Sequence, residues 1–423
     1  MIDVVNYGDK KYAQFLARPA FPEEAEKAAA EILAEVKKNG DAAVAKFVKK
    51  FDGYTLKPAD FRLKNFNFTK LDKRMQKAVN EAYGHVMNFS RMSLKERWEI
   101  GTNRGGKLGE FFTPMDRVGV YIPGGTAPLA STAIMTVTLA KVAGVREIVA
   151  CTPADKNGEV NPVLLYALQI AGATEIYRVG GVQAIGMMAF GTKTCKKVQK
   201  IAGPGNAFVT AAKRQVYGYV GIDQVAGPSE IAVLTDGTVP AKWVAADLLS
   251  QAEHGSGLEK SLCVCTNKRL AEQIRVEVMR QVETLSRKDK IQKVIDADGI
   301  LMVVVKSVAD GVKAINEFAP EHLELLTKNP MDAMKGIRSA GAVFLGQWTP
   351  EPAGDFVAGP SHVLPTGGAA NMFSGLTPDD FRRRHSFVQY TRGDLSDNIE
   401  TIKAFAEVEG LDGHAHSATI RFE

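Results

Sequence analysis

The sequence predicts an α/β protein built on two doubly wound, Rossmann-like parallel sheets, with small helical segments at the N- and C-termini. Three observations predict it. Short apolar runs alternate with stretches of helical periodicity along most of the chain. Several of those runs end in glycine-rich turns that open a helix. The chain has 423 residues, 45% hydrophobic and 24% charged, so it can bury two or three sizeable cores at ordinary globular composition.

The elements follow in order. Residues 22–50 carry helical apolar spacing in two helices broken at Asn39–Gly40, and 71–93 continues as helix. RVGVYIPGG (117–125) reads as a strand running into a glycine turn, and 131–144 as the helix after it. Strand 146–153, helix 161–172, strand 175–181 and helix 182–191 follow, then strand, glycine turn and helix over 198–216. The alternation repeats with strand 230–237, helix 239–254, strand 260–267, helix 268–286, strand 300–305, helix 307–317 and strand 342–346. The Gly/Pro-rich stretch 349–370 reads as a long loop, a class of segment that is usually functional or disordered. From 377 onward the chain reads as helical, charged and separate from the sheets.

Bulk properties exclude some classes. A net charge of +5, with no Lys/Arg run interleaved with aromatics, argues against nucleic-acid binding. No stretch of about 18 apolar residues spans a membrane, and the N-terminal MIDVVNYGDKKYAQF lacks the apolar core of a signal peptide. The four cysteines, Cys151, Cys195, Cys263 and Cys265, form no C-x-x-C and read as buried free thiols, which fits a reducing, cytoplasmic compartment.

Six of the seven histidines lie after residue 250, which directs attention to the second half of the chain. DLLSQAEHGSG (247–257) reads as a helix end, with Gln251 and His254 three apart on one face. They are either an ordinary helix terminus or half of a metal site. In EFAPEHLELL (317–326), Pro320 suits a first helical position, which puts Glu321 and His322 in a first helical turn. The positive helix end would favour carboxylate and neutral imidazole, the state wanted of two bases at neutral pH. The alternative is a glutamate capping its own helix beside a surface histidine. Asp355 and His362 lie on the long loop, and Glu409, His414 and His416 near the terminus. Gln251, His254, Asp355 and a late histidine together make a mixed N/O set that suits zinc with an open position. The three glycine turns PGGTAPL, GGVQAIG and GPGNAF suit phosphate at helix N-termini, although none is a full G-x-G-x-x-G. A zinc hydrolase using Glu321 as base explains the zinc set but not these turns. A non-catalytic zinc-binding scaffold is the third reading.

Taken together, YIPGGTAPLASTAIM, VGGVQAIGMMAFGT, IAGPGNAFVTAAKRQV, VAGPSEIAVL, DLLSQAEHG, FAPEHLEL and AGDFVAGPSHVLPT resemble, in order and spacing, the histidinol dehydrogenase family. The likeness runs from about residue 18 to the C-terminus. It implies oxidation of L-histidinol to L-histidine, the last step of histidine biosynthesis, through a bound L-histidinaldehyde, with two NAD and one zinc per subunit. It also implies a homodimer with sites shared between chains. Carried over by motif, Gln251, His254, Asp355 and His414 correspond to zinc ligands and Glu321 and His322 to the catalytic pair. Ser229, His362 and Glu409 correspond to substrate contacts, joined there by Gln251, His254, His322, Asp355 and His414. Tyr121, Gln183 and Asn206 correspond to NAD contacts. Two features depart from the pattern. Ser361 stands where some members have Asn, and DGHAHS offers His416 as a rival to His414. The expected organisation is an N-terminal segment 1–17, a main α/β domain of 18–120 with 229–376 carrying the zinc and catalytic residues, a second, NAD-binding α/β domain at 121–228, and a C-terminal helical dimerisation segment at 377–423.

Overall fold

The computed structural model describes residues 2–18, 21–64, 68, 71–124 and 128–423. It divides into two compact units, Met1–Ser93 with Asp116–Phe381, and Leu94–Met115 with Arg382–Glu423.

The first unit holds two six-stranded sheets. One runs, in spatial order, Asp3–Asn6, Ile300–Val304, Lys260–Cys265, Glu230–Thr235, His322–Leu326 and Ala342–Leu345, all parallel. Its central strands are nearly continuous buried runs, EIAVLT, KSLCVC and HLELL, because helices cover both faces of a parallel sheet. Helices Ala241–Ala252, Lys268–Val282 and Lys288–Asp296 close one face. Val308–Phe318 and Lys10–Leu16 close the other.

The other sheet runs Arg62–Leu63, Glu175–Tyr177, Glu147–Cys151, Arg117–Tyr121, Lys200–Ala202 and Gly221–Ile222, parallel except at the 62–63 edge. Helices Glu23–Asn39 and Asp41–Asp52 pack on one face with Gly181–Phe190 and Ala207–Val216. Gly40, at φ +54, separates the first two, where a side chain would be strained. Both sheets are therefore doubly wound. In each, the chain leaves a central strand in one direction and returns to build outward in the other. That places a topological switch between 230–235 and 322–326, and another between 117–121 and 200–202.

The second unit contains a three-stranded antiparallel sheet, Arg382–Gln389, Lys107–Pro114 and Trp98–Gly101. Helices Arg392–Glu409 and Asp412–Thr419 complete it. Thr391 and Asp394 form a reciprocal capping box at the start of the longer helix.

Several expectations are corrected. Residues 322–326 are a strand, not a helix, because the five-residue run lies fully buried between two parallel neighbours. The tail beyond 377 is not all helix; its 382–389 stretch pairs with 107–114. The 349–370 stretch contains a short helix, Glu351–Phe356, started by Pro350 and Pro352 around its first turn. Residues 3–6, expected in a separate N-terminal segment, are an edge strand paired with 301–304. The 23–52 helices and the 117–121 strand, expected with the main domain, pack in the body of the 117–222 sheet.

Candidate active site

The Glu321–His322 pair sits where the 322–326 strand begins, at the amino edge of its sheet. The argument from a helix dipole therefore does not apply, and burial takes its place. The register sets Ile231 opposite His322, so the preceding residue, Glu230, faces both bases with its backbone. Its N–H donates to Glu321 Oε2 at 3.0 Å, and its C=O lies 3.2 Å from His322 Nδ1. A carbonyl only accepts, so Nδ1 carries a proton, and Nε2 is the ring nitrogen that faces the site. Nε2 lies 3.4 Å from Asp355 Oδ1 and 3.8 Å from Glu351 Oε1.

Three further segments converge on these two residues. The end of the 241–252 helix brings Gln251, fully buried, and His254, exposed, whose Nδ1 lies 3.3 Å from Gln251 Nε2. Ser250 Oγ donates to Glu351 Oε2 at 3.2 Å and so ties that helix to the 351–356 helix. Glu351 and Asp355 lie four apart on the latter, on one face. The loop beyond it carries His362, whose Nδ1 lies 3.2 Å from the Asp355 carbonyl and whose Nε2 lies 2.9 Å from Thr132 Oγ1. Ser361 Oγ donates to the Met135 carbonyl at 3.0 Å. Through Thr132 and Met135, in the helix Ala130–Val142 that follows the 117–121 strand, the amino edge of one sheet meets the carboxyl edge of the other.

Charge in this cluster is strongly coupled. Burial raises Glu321 to about 8. Burial alone would lower His322, but Glu321, Asp355 and Glu351 outweigh it and raise the imidazole to about 10. Burial and Asp355 raise Glu351 to about 8. Burial opposes ionisation of Asp355, yet His322 and His362 hold it well below the usual carboxylate range. Burial pushes His362 down. Behind them Glu324, raised by burial and by Asp247, accepts the Glu351 N–H at 2.6 Å. The expected carboxylate-plus-neutral-imidazole state is thus not what the protein alone sets up, because acidic groups outnumber cations here. An additional positive charge would shift both groups towards their basic forms.

The donor set fits such a charge. Ligand atoms of His322, Glu351 and Asp355 lie within 4.8 Å of one another, a group that shares Asp355 alone with the expected zinc set of Gln251, His254, Asp355 and His414. Gln251 Oε1 and Glu351 Oε1 are buried without a hydrogen-bond partner among the described residues. Buried acceptors left unsatisfied beside carboxylates suit a cation.

At the carboxyl edge of the 117–222 sheet, Tyr121 is buried and its hydroxyl accepts the Gly181 N–H at 3.1 Å. Gly181 lies at φ +65 and opens a helix. Gln183, in the first turn of that helix, is buried with Oε1 unpartnered among the described residues. Gly203, at φ +117, lies so close to the Tyr121 carbonyl that no Cβ fits. Asn206 caps the 207–216 helix through the Val209 N–H at 3.1 Å. Of the first glycine turn, residues 125–127 lie outside the described residues.

Ser229, half-buried, immediately precedes Glu230. Glu409 ends the 392–409 helix and His414 lies in the 412–419 helix, both exposed on the second unit, as is His416. Sequence reasoning missed Glu351, Glu230 and Thr132. The spacing of Glu351 to Asp355 in PEPAGD was visible and is a helical i, i+4 pair once Pro350 is read as a helix start.

A doubly wound α/β chain with a buried carboxylate–imidazole pair beside a group of side chains able to hold a metal ion is the framework of an enzyme. Comparison with known proteins narrows the class. The histidinol dehydrogenase family model matches residues 17–422. The chain is 45% identical over 404 residues to histidinol dehydrogenase of Bacillus licheniformis, covering 94% of each chain. It is 43% identical over 397 residues to that of Bacillus cereus, covering 93% of this chain and 91% of the other. The crystal structure of histidinol dehydrogenase from Elizabethkingia anophelis superposes with a TM-score of 0.94 at 34% identity, over 100% of this chain and 98% of the other. The chain belongs to the histidinol dehydrogenase family, a family of oxidoreductases, and its place is in histidine biosynthesis.

Proposed function

We propose that the protein carries out the four-electron oxidation of L-histidinol to L-histidine through an L-histidinaldehyde that stays bound. The observation that carries this reading is the buried Glu321–His322 pair, two adjacent bases held by one backbone residue yet aimed differently. Two oxidations with a hydration between them need proton removals of two kinds, from a hydroxyl and from water.

In the first, the alcohol loses a hydride from carbon and a proton from oxygen. His322 Nε2 takes the hydroxyl proton. The aldehyde then adds water. Glu321 removes a proton from that water as its oxygen bonds to the carbonyl carbon, and His322 returns the proton it took to the carbonyl oxygen, giving the hydrate. Loss of a second hydride to NAD and of a hydroxyl proton from the hydrate, again to His322, gives the carboxylic acid. Zinc, when held by Gln251, His254, Asp355 and His414, supplies a Lewis acid that fixes the substrate and a charge that opposes protonation of both bases. NAD, when bound at the carboxyl edge near Tyr121, Gln183 and Asn206, supplies the hydride acceptor for each oxidation. A switch point at a carboxyl edge, with glycine turns opening helices, supports this location.

Ser229, His362 and Glu409 are assigned to holding the substrate. His362 sits between the two sheets through Thr132, so it is suited to orienting the carbinol carbon toward the hydride acceptor. Glu409 and His414 are assigned to the partner's site across a two-fold homodimer. Four free cysteines, all buried, fit a reducing compartment such as the cytoplasm. Among the described residues no helix is long and apolar enough to cross a membrane.

The test is stoichiometric. Zinc-loaded protein given histidinol and excess NAD should release two NADH for each histidine formed. A ratio of one, with free aldehyde accumulating, would mean that only the alcohol step is catalysed. No NADH at all would remove the assignment.

A further inference from the structure

We propose that Arg18 is a positioning residue for the Glu321–His322 pair; the inference rests on the function proposed above. Glu230 holds both bases with its own peptide groups, so whatever fixes Glu230 fixes the bases. Its side chain is 2% exposed and forms an ion pair with Arg18, Oε1 to Nε, at 2.6 Å. A carboxylate buried to that degree needs a cation of its own. Arg18 also reaches the chain entering the bases from the other side. Its Nη2 donates to the Phe318 carbonyl at 2.9 Å, and its guanidinium lies over the Phe318 ring, 4.5 Å from the centroid.

Phe318 ends the helix that precedes Glu321 by three residues. Between them Ala319 sits at φ +49, a conformation that costs a non-glycine residue energy and holds only if the surroundings impose it. One guanidinium thus grips the residue that hydrogen-bonds the bases and the turn that delivers them. A planar fork can serve a carboxylate, a carbonyl and a ring face together, which an ammonium cannot. Arg18 contacts neither base directly. It sets the distance between the 230–235 and 322–326 strand starts, and with it the Nδ1–H bond that keeps His322 Nε2 facing the site.

The experiment uses the zinc-loaded full chain with 15N-labelled histidine, as wild type, Arg18→Lys, Arg18→Met and Glu230→Gln. The His322 Nδ1–H resonance is identified by its absence in His322→Asn. Arg18→Met and Glu230→Gln should lower kcat on histidinol by about ten- to a hundredfold. They should leave KM for NAD, zinc content and circular dichroism unchanged, and should shift or broaden that one resonance. Arg18→Lys, which keeps the charge and loses the fork, should fall between. If Arg18→Met keeps the wild-type kcat, or loses it with the resonance unmoved, or loses it only in step with the folded fraction, the positioning role is wrong. If instead the wild type forms no NADH from histidinol, the proposed function fails, while the resonance in Arg18→Met still reports whether Arg18 sets the histidine's geometry.

Discussion

Replacing His322 with Asn tests the division of labour within the site most directly. The imidazole is 3% exposed, with Nδ1 on the Glu230 carbonyl and its ring 6.1 Å from that of Phe344. An Asn amide can still donate to that carbonyl, so the strand keeps its local bond. What it lacks is any basic atom where Nε2 stood. The cost to folding is therefore a small cavity, of about 1–3 kcal/mol. The cost to the reaction is a general base, worth about 10²–10⁴ in rate, or about 2.7–5.5 kcal/mol at about 1.36 kcal/mol per decade. Glu321→Gln is the complementary change. Its amide oxygen can accept the Glu230 N–H that Oε2 now takes at 3.0 Å, but it cannot take a proton from water. The assay is NADH formation from histidinol and, separately, from histidinal, with thermal unfolding run in parallel. His322→Asn should be slow from histidinol and slowed less from histidinal. Glu321→Gln should be slow from both, because hydration is common to both routes, yet should form the first NADH from histidinol as a burst. Wild-type turnover of histidinal by Glu321→Gln would refute the role given to Glu321. Equal losses on both substrates by His322→Asn, beyond the loss of folded protein, would refute the role given to His322.

Two further outcomes are expected. Burial works against the Glu175 carboxylate, but Arg117, at 2.7 and 3.0 Å, and the Tyr177 hydroxyl, at 2.6 Å, outweigh it and hold its pKa at about 2. A depressed folded pKa gives stability that is fully present above the unfolded value of about 4.3 and is lost as pH falls toward 2, so the melting-temperature deficit of Glu175→Gln should be constant near neutrality and close between about pH 4.5 and 2; a deficit unchanged across that window would mean packing, not charge, is responsible. Mixing Glu321→Gln with His414→Asn subunits and reassembling them should restore roughly a quarter of wild-type activity, since about half the dimers are mixed and each mixed dimer has one intact site; no recovery in dimers shown to be mixed would place His414 in its own chain's site or outside any site.

The parts of the fold that were legible share one property, namely continuous or periodic apolar burial. EIAVLT and KSLCVC could hardly be anything but covered parallel strands, and AEILAEV shows its buried stripe at helical spacing. HLELL misled because the residue before Glu321 is Pro320, a genuine helix-start signal, and because five residues cannot separate a buried strand from a buried helix turn by periodicity. Tertiary context decided it. Glu324 alternates inward yet is fully buried, held by Asp247 and the Glu351 N–H, neither of which is near in sequence. The antiparallel sheet of the second unit was illegible for the opposite reason. RRRHSFVQ is polar and exposed along most of its length, so no alternation marks it as a strand. Within the site, Gln251 and His254 were visible as a helix end and Glu321–His322 as a motif, but their relation was not, because it depends on the 230–235 strand lying beside 322–326. The same winding of two sheets is used at opposite edges. One presents its amino edge, where strand starts carry acid–base side chains held by a neighbour's peptide groups, and the other its carboxyl edge, where glycine turns open helices. A sequence read as two like sheets gives no reason to expect that difference. It follows from the Thr132–His362 and Ser361–Met135 contacts, which let the loop at 361–362 join the two edges.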